Sequence, residues 1–242
     1  MSVICIDVKI ERARRLLWLS WAALLLLSVG ATLVMVSEPH RHFVRLAELF
    51  YVGGENNLPT AFSSGLLLFS ALLSFLARQA ASAQDRPYWL GLTLGMVLMA
   101  MDEALEFHES LSGPVRALLG LETFGPLYFA WVLPAALLVL GLALVFFRFW
   151  WRLPMPLRRQ TLLAGGIYLG GALGIEAMGG WWFEATTSKQ AGYQVLVHLE
   201  EGAEMAGLLL YIQAMLVYLG RDRWVLRFRT TPKLALPHWS PG

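Results

Sequence analysis

The chain has one cysteine, Cys5, and it precedes the first long apolar run. A lone thiol there excludes a disulfide framework and a thiolate metal site. Charge is scarce as well: Asp, Glu, Lys and Arg make up 15% of the 242 residues against 57% hydrophobic residues, and the mean hydropathy is +0.56. A soluble domain cannot cover its surface with so little charge, so the composition points to a polytopic membrane protein. Several catalytic signatures are also missing: a phosphate-binding glycine loop, HExxH, CxxC and a Ser-His-Asp pattern.

What is present is a set of apolar runs. A hydrocarbon core of about 30 Å needs roughly 20 helical residues, and six stretches meet that length: 16–35, 58–76, 88–106, 124–147, 162–178 and 193–218. The expected fold is an all-α integral membrane protein, a single bundle of six transmembrane helices. The first run follows Lys9, Arg12, Arg14 and Arg15, as a signal peptide would, but it is long and has no small-residue cleavage site after it. It reads as a retained helix.

Basic residues set the expected orientation. With the N-terminus in the cytoplasm, fifteen Lys and Arg fall inside and four outside, namely Arg41, Arg45, Arg116 and Lys189. That bias places both termini in the cytoplasm, and the chain is expected in the cell membrane as a multi-pass inner-membrane protein. The basic patches then serve as orientation signals and anionic-lipid contacts, with no nucleic acid required. The basic, aromatic C-terminal stretch 221–242 is expected to lie along the inner surface or to dock a membrane protein partner.

The acids segregate in the opposite sense. Loop acids such as Glu38, Glu48, Glu122 and Glu184 need no special cause, because outer loops exclude Lys and Arg and tolerate Asp and Glu. Acids inside the runs do need one. In MDEALEFHES, residues 101–110, four acids and a histidine fall within eight positions at the end of an apolar run. At about 1.5 Å per residue, Asp102 lies roughly 9 Å below the outer boundary and Glu106 roughly 3 Å. The same arithmetic puts Glu176 at roughly 9 Å, His198 at roughly 7 Å, Glu201 at roughly 12 Å and Glu204 at roughly 16 Å.

Helical spacing groups Gly91, Gly95, Met99, Asp102, Glu106 and Glu109 on one face, leaving Glu103 and His108 off it. In HLEEGAEMAG it groups His198, Glu201, Gly202 and Met205, with Glu204 beside them and Glu200 nearly opposite. Gly166, Gly170 and Gly174 recur every fourth residue, a pattern for close helix packing, with Glu176 projecting from another side. Glu55, Asn56, Asn57, Thr60, Ser63 and Ser64 lie near the rim, where capping of the next helix accounts for most of them.

If these acids share a cavity, no Lys or Arg from the outer half of any run pairs with them. Protons, metal ions or a cationic substrate must neutralise them. Carboxylates with an imidazole suit a divalent ion, iron, manganese or zinc. The expected ligands are Asp102, Glu176, His198 and Glu201, with Glu106 or Glu204 as acid/base. The set is faintly similar to four-helix di-iron carboxylate proteins, which repeat Glu-x-x-His. Here the order is His-x-x-Glu and it occurs once, so no family is assigned.

The function expected from this set is metal-dependent hydrolysis or oxidation of a lipid or small apolar substrate reaching the site from the outer side. A cation or proton-coupled transporter using the same carboxylates is the alternative, and a non-catalytic subunit of a membrane complex is a third.

Overall fold

A computed structural model describes residues 3–37, 41–120, 123–186, 191–220 and 223–229. Glu38, Glu122, Lys189 and the tail residues 230–242 lie outside the described residues. Six helical segments are long and apolar enough to cross a membrane: Ile10–Ser37, Leu58–Ala80, Arg86–Leu105, Val132–Arg152, Met155–Thr186 and Ala191–Leu219. They match the six apolar runs in order. The fourth span starts later than its apolar pattern implies, because Gly125 takes φ 53 and opens a short 3-10 turn, Gly125–Leu127, before the helix begins.

In chain order the elements are β1 (Val3–Lys9), α1 (Ile10–Ser37), α2 (Arg41–Glu48), α3 (Leu58–Ala80), α4 (Arg86–Leu105), α5 (Phe107–Leu119), α6 (Val132–Arg152), α7 (Met155–Leu169), a π segment (Gly170–Ile175), α8 (Glu176–Thr186), α9 (Ala191–Leu219) and β2 (Arg223–Arg229). Strands β1 and β2 pair antiparallel, Val3 opposite Arg229 and Lys9 opposite Arg223. This ribbon holds both ends of the described chain at the same end of the bundle, as an even number of spans requires.

Helix α9 is the axis of the bundle. It packs against α1, α3, α7, the π segment and α8, and Met205, Leu209, Ile212, Ala214 and Met215 on it are at most 2% exposed. By contrast α1, α4 and α6 bury little and present leucines outward, as helices facing acyl chains do. At the end where the ribbon lies, Trp89 and Phe149 are buried edge to face, Tyr88 stacks on Phe149, and Arg152 holds Asp85 Oδ1 through Nη2 at 2.6 Å and Nε at 3.0 Å. These contacts tie the otherwise peripheral α6 to α4.

Close helix approach rests on glycines other than the expected stripe. A Cβ on Gly166, Gly170 or Gly174 would meet nothing within 4 Å, and all three are exposed. The residues that need to be glycine are Gly207, whose Cβ would lie 2.8 Å from the Ala164 carbonyl oxygen and 2.7 Å from Tyr168 Cβ, and Gly171, whose Cβ would lie 2.8 Å from the Glu200 carbonyl oxygen. Backbone packs directly on backbone at both points.

Gly207→Ala should therefore destabilise by about 1–3 kcal/mol, the cost of overpacking against an unyielding backbone. Gly166→Ala should be neutral or gain up to about 1 kcal/mol from helix propensity. Melting temperatures in detergent test this, and equal behaviour of the two variants would contradict the packing.

Candidate functional site: an acidic chamber under a short cap

Helix α4 ends on the acids of the MDEALEFHES stretch. Its C-cap, Glu106, adopts φ 58 and ψ 33, a left-handed conformation that is uncommon for a residue with a side chain, and its N–H donates to the Asp102 carbonyl at 2.7 Å. The chain turns there and α5 starts at once. Asp102 then serves α5: Oδ1 accepts the His108 backbone N–H at 2.9 Å and Oδ2 pairs with His108 Nδ1 at 2.8 Å. An acid beside a helix N-terminus also favours the local dipole.

Beyond α5 the chain is held by Glu184, which accepts backbone N–H groups of Phe124 and Gly125. That cap gives Glu184 a structural task. Trp131 follows, with its ring 4.6 Å from that of His108 and its indole N–H donating to Glu176 Oε1 at 3.1 Å. Glu176 is the first residue after the π segment. At the π turn Gly171 seats on the Glu200 backbone, and the Glu176 and Glu200 carboxyl groups lie close together. Single π turns inside helices are frequent at functional sites.

Below this pair lie Glu201 and Glu204 on α9 and Glu103 on α4. Glu201 stands close enough to feel the charges of Glu204, Glu103 and Glu176, and Glu204 those of Glu103, Glu176 and Asp102. Ser63 lies near Glu103, and the Tyr168 hydroxyl near Glu204. Protein surrounds Glu201, yet no hydrogen-bond donor among the described residues is assigned to its carboxylate. All five glutamates are partly exposed as residues. No span carries a Lys or Arg in the half where they lie, and the nearby Arg116 turns its guanidinium onto the Phe124 and Tyr128 rings, 5.7 and 4.8 Å away.

The residues expected from sequence divide accordingly. Glu176, Glu201 and Glu204 lie within electrostatic reach of one another, but among the described residues the carboxylates that bring three ligand atoms within 4.8 Å of one another are Glu55, Glu106 and Glu109. Asp102 sits at the edge, committed to α5. His198 lies on another side of α9: Nδ1 meets the Gln194 carbonyl at 2.7 Å and Nε2 meets Ser28 Oγ at 2.9 Å. Since a carbonyl only accepts, Nδ1 donates there. Ser28 Oγ accepts the Val52 N–H at 2.9 Å, so its own hydrogen goes to Nε2. Both imidazole nitrogens are used, and His198 ties α1 and the loop before α3 to α9. Glu106 points outward, where it accepts from Asn56 at 3.3 Å and, with Glu55 and Glu109, forms a mostly exposed set of carboxylates close enough together to hold one ion.

Three participants were not legible from helical faces: Glu103, Glu200 and His108. The rim residues behave mainly as caps. Asn57 Oδ1 accepts the Thr60 N–H, while its Nδ2 donates to Tyr51 O and Gly54 O at 2.7 and 2.9 Å. Ser64 reaches only the Ala100 carbonyl at 3.5 Å.

The chain belongs to the family described as domain of unknown function DUF8692, which matches residues 19–219 and so takes in all or part of every span. No curated protein and no solved structure matches it.

Tyr51 carries the loop's link to this region, its hydroxyl donating to Gln194 Oε1 at 2.8 Å. Burial pushes the phenol above its ordinary value near 10, the Gln194 bond opposes this, and the Glu201 charge adds to it. The unfolded chain gives up this proton first, so the contribution is full below about pH 10 and is lost as pH rises toward the folded value. Tyr51→Phe should cost about 1 kcal/mol at neutral pH through the missing hydrogen bond and show a shallower loss of stability above pH 10 than the parent. Thermal unfolding at pH 8–11 measures both, and parallel alkaline profiles would refute the assignment.

Proposed function

We propose that the chain is a multi-pass membrane protein that binds a divalent metal ion in this acidic chamber. Glu103, Glu176, Glu200, Glu201 and Glu204 are the ligand candidates, in place of a set that includes Asp102 and His198. What supports the reading is that five carboxyl groups from α4, α8 and α9 lie within electrostatic reach of one another, with no basic side chain in that half of the spans. Uncompensated charge of this kind is expensive inside a membrane. An all-oxygen set suits a hard or borderline cation such as manganese or iron.

The chamber lies at the end of the bundle opposite the ribbon. The distribution of basic residues supports a reading in which that end is extracytoplasmic and both termini are cytoplasmic, with the protein in an inner membrane as part of the proposal. A bound ion there would activate water for hydrolysis or support oxidation, and the thinly covered α4 and α6 suit a lipid or small apolar substrate arriving from the outer leaflet.

One contact favours a second reading. Two carboxyl groups as close as those of Glu176 and Glu200 can share a proton between them. If protons alone neutralise the cluster, proton-coupled transport is the better description.

Elemental analysis and thermal unfolding of protein purified without chelator separate the two. On the metal reading, ion content approaches stoichiometry, chelator lowers the melting temperature and one restored ion raises it again. Glu176→Gln and Glu204→Gln each weaken metal binding at least about tenfold, on the scale of known changes around metal sites, whereas Asp85→Asn at the opposite end leaves it unchanged. A melting temperature indifferent to chelator and to iron, manganese, zinc and calcium supplied singly would discard the metal reading in favour of the protons.

A further inference from the structure

The end of the bundle that carries the ribbon has the opposite imbalance of charge. Between Val132 and Ile175 the chain holds four arginines, Arg148, Arg152, Arg158 and Arg159, and no Asp or Glu. Among the described residues Asp85 is the carboxylate that meets them. It takes Nε and Nη2 of Arg152 at 3.0 and 2.6 Å, and its other oxygen accepts from Ser82 Oγ at 3.1 Å. Arg158 spends its head on Trp151: the guanidinium carbon lies 4.4 Å from the ring centroid and Nη1 donates to the Trp151 carbonyl at 3.1 Å. Arg148 is exposed near the end of α6, and among the described residues no carboxylate, carbonyl or ring is assigned to it.

The surroundings of Arg148 are ordered. Arg148 and Arg152 are four residues apart and share one face of α6, as Phe147 and Trp151 share the neighbouring one. These four side chains line an open recess of about 400 Å³, inside the range of roughly 300–1,000 Å³ in which small-molecule sites fall. Trp151 is held in place by Arg158 and by the rings of Phe147 and Trp150, whose centroids lie 5.8 and 5.9 Å from its own. The Asp85 contact fixes Arg152 and leaves its Nη1 unassigned. The recess thus offers the whole fork of Arg148 together with Nη1 of Arg152. Toward the middle of the span Phe147 is continued by Leu144 and Leu140, all three exposed at helical spacing.

This combination selects a molecule that is anionic at one end and apolar at the other. A guanidinium fork matches the oxygens of a phosphate, an indole sits at the level of lipid headgroups, and basic pockets beside membrane helices take anionic headgroups. We propose that the recess binds an anionic glycerophospholipid of the adjoining leaflet. Its phosphate rests on Arg148 and on Nη1 of Arg152, its glycerol end against Trp151 and Phe147, and one acyl chain along Leu144 and Leu140. A free phosphate would use the arginines and leave the two rings uncovered. A second copy of the chain would bring the same positive charge to the recess. The inference is independent of the acidic chamber, which lies at the other end of the bundle.

Native mass spectrometry of the full chain in mild detergent, titrated with phosphatidylglycerol or with phosphatidylcholine, tests the site. The first phosphatidylglycerol should bind at least about tenfold more tightly than the first phosphatidylcholine, the scale of one hydrogen bond to a charged group. Arg148→Gln should abolish that preference. Arg148→Lys should lose part of it, since an ammonium keeps the charge and lacks the fork. Arg15→Gln removes an exposed charge from α1, a helix that packs on α2 and α9, and should change the preference less than about twofold because a separate charge acts only through a screened field. Equal affinity of the parent for the two lipids would overturn the proposal without need of any variant. A preference retained by folded Arg148→Gln, or lost equally in Arg15→Gln, would overturn it as well. Displacement of phosphatidylglycerol by millimolar inorganic phosphate would assign the arginines to a soluble anion, and a lipid-free dimer that Trp151→Ala dissociates would assign the face to a second copy; either result sinks the lipid site.

Discussion

The constraint on which the rest of the structure depends is the lack, among the described residues, of any Lys or Arg side chain paired with the carboxylates of α4, α8 and α9. In water, five nearby glutamates would repel one another modestly. In a membrane domain the same charges are poorly screened and costly to desolvate, so geometry alone does not keep them. The surrounding architecture distributes the burden. Trp131, Ser63 and Tyr168 each stand beside one carboxyl group, Glu176 and Glu200 lie close together, and Arg116, the nearby cation, is turned onto two aromatic rings instead. What remains is a deficit of positive charge that a cation or a proton must fill.

Helix α9 makes that arrangement possible because it touches five other segments and brings three acids from two of its sides. Its fixing points are backbone contacts at Gly207 and Gly171, which allow α7 and the π segment to lie against it without intervening side chains. On the opposite side, His198 and Ser28 fasten α1 and the Val52 loop. The two sets of contacts divide the labour: apolar and backbone packing fixes the helices, and polar contacts above them fix the mouth.

The six spans were readable in the sequence because length and apolarity are properties of a segment by itself. Faces were harder, for reasons that particular residues show. Glu200 looked as though it pointed away because the spacing argument gave α9 one inward side, and a helix enclosed by neighbours has several. The glycines at 166, 170 and 174 carried the expected packing pattern, but the π segment adds width within that run, and Gly171 makes the close approach. His108 and His198 show that spacing places a ring on a face without saying which of its nitrogens is already bonded. His198 lay near acids in sequence and found Ser28 and Gln194, whereas His108 found Asp102 only because Glu106 turns the chain back on itself.

The π segment has a mechanical meaning as well. A continuous α-helix transmits twist and axial displacement along its whole length, since every turn is braced by the same ladder. The fifth span is interrupted just before Glu176 by a wider turn rich in glycine. Its lower rod is clamped to α9 at Gly207, while its upper rod carries Glu176 and Glu184 and, through them, the connection to α6. The joint between the rods gives each its own bracing, the lower against α9 at Gly207 and the upper through Glu176 and Glu184.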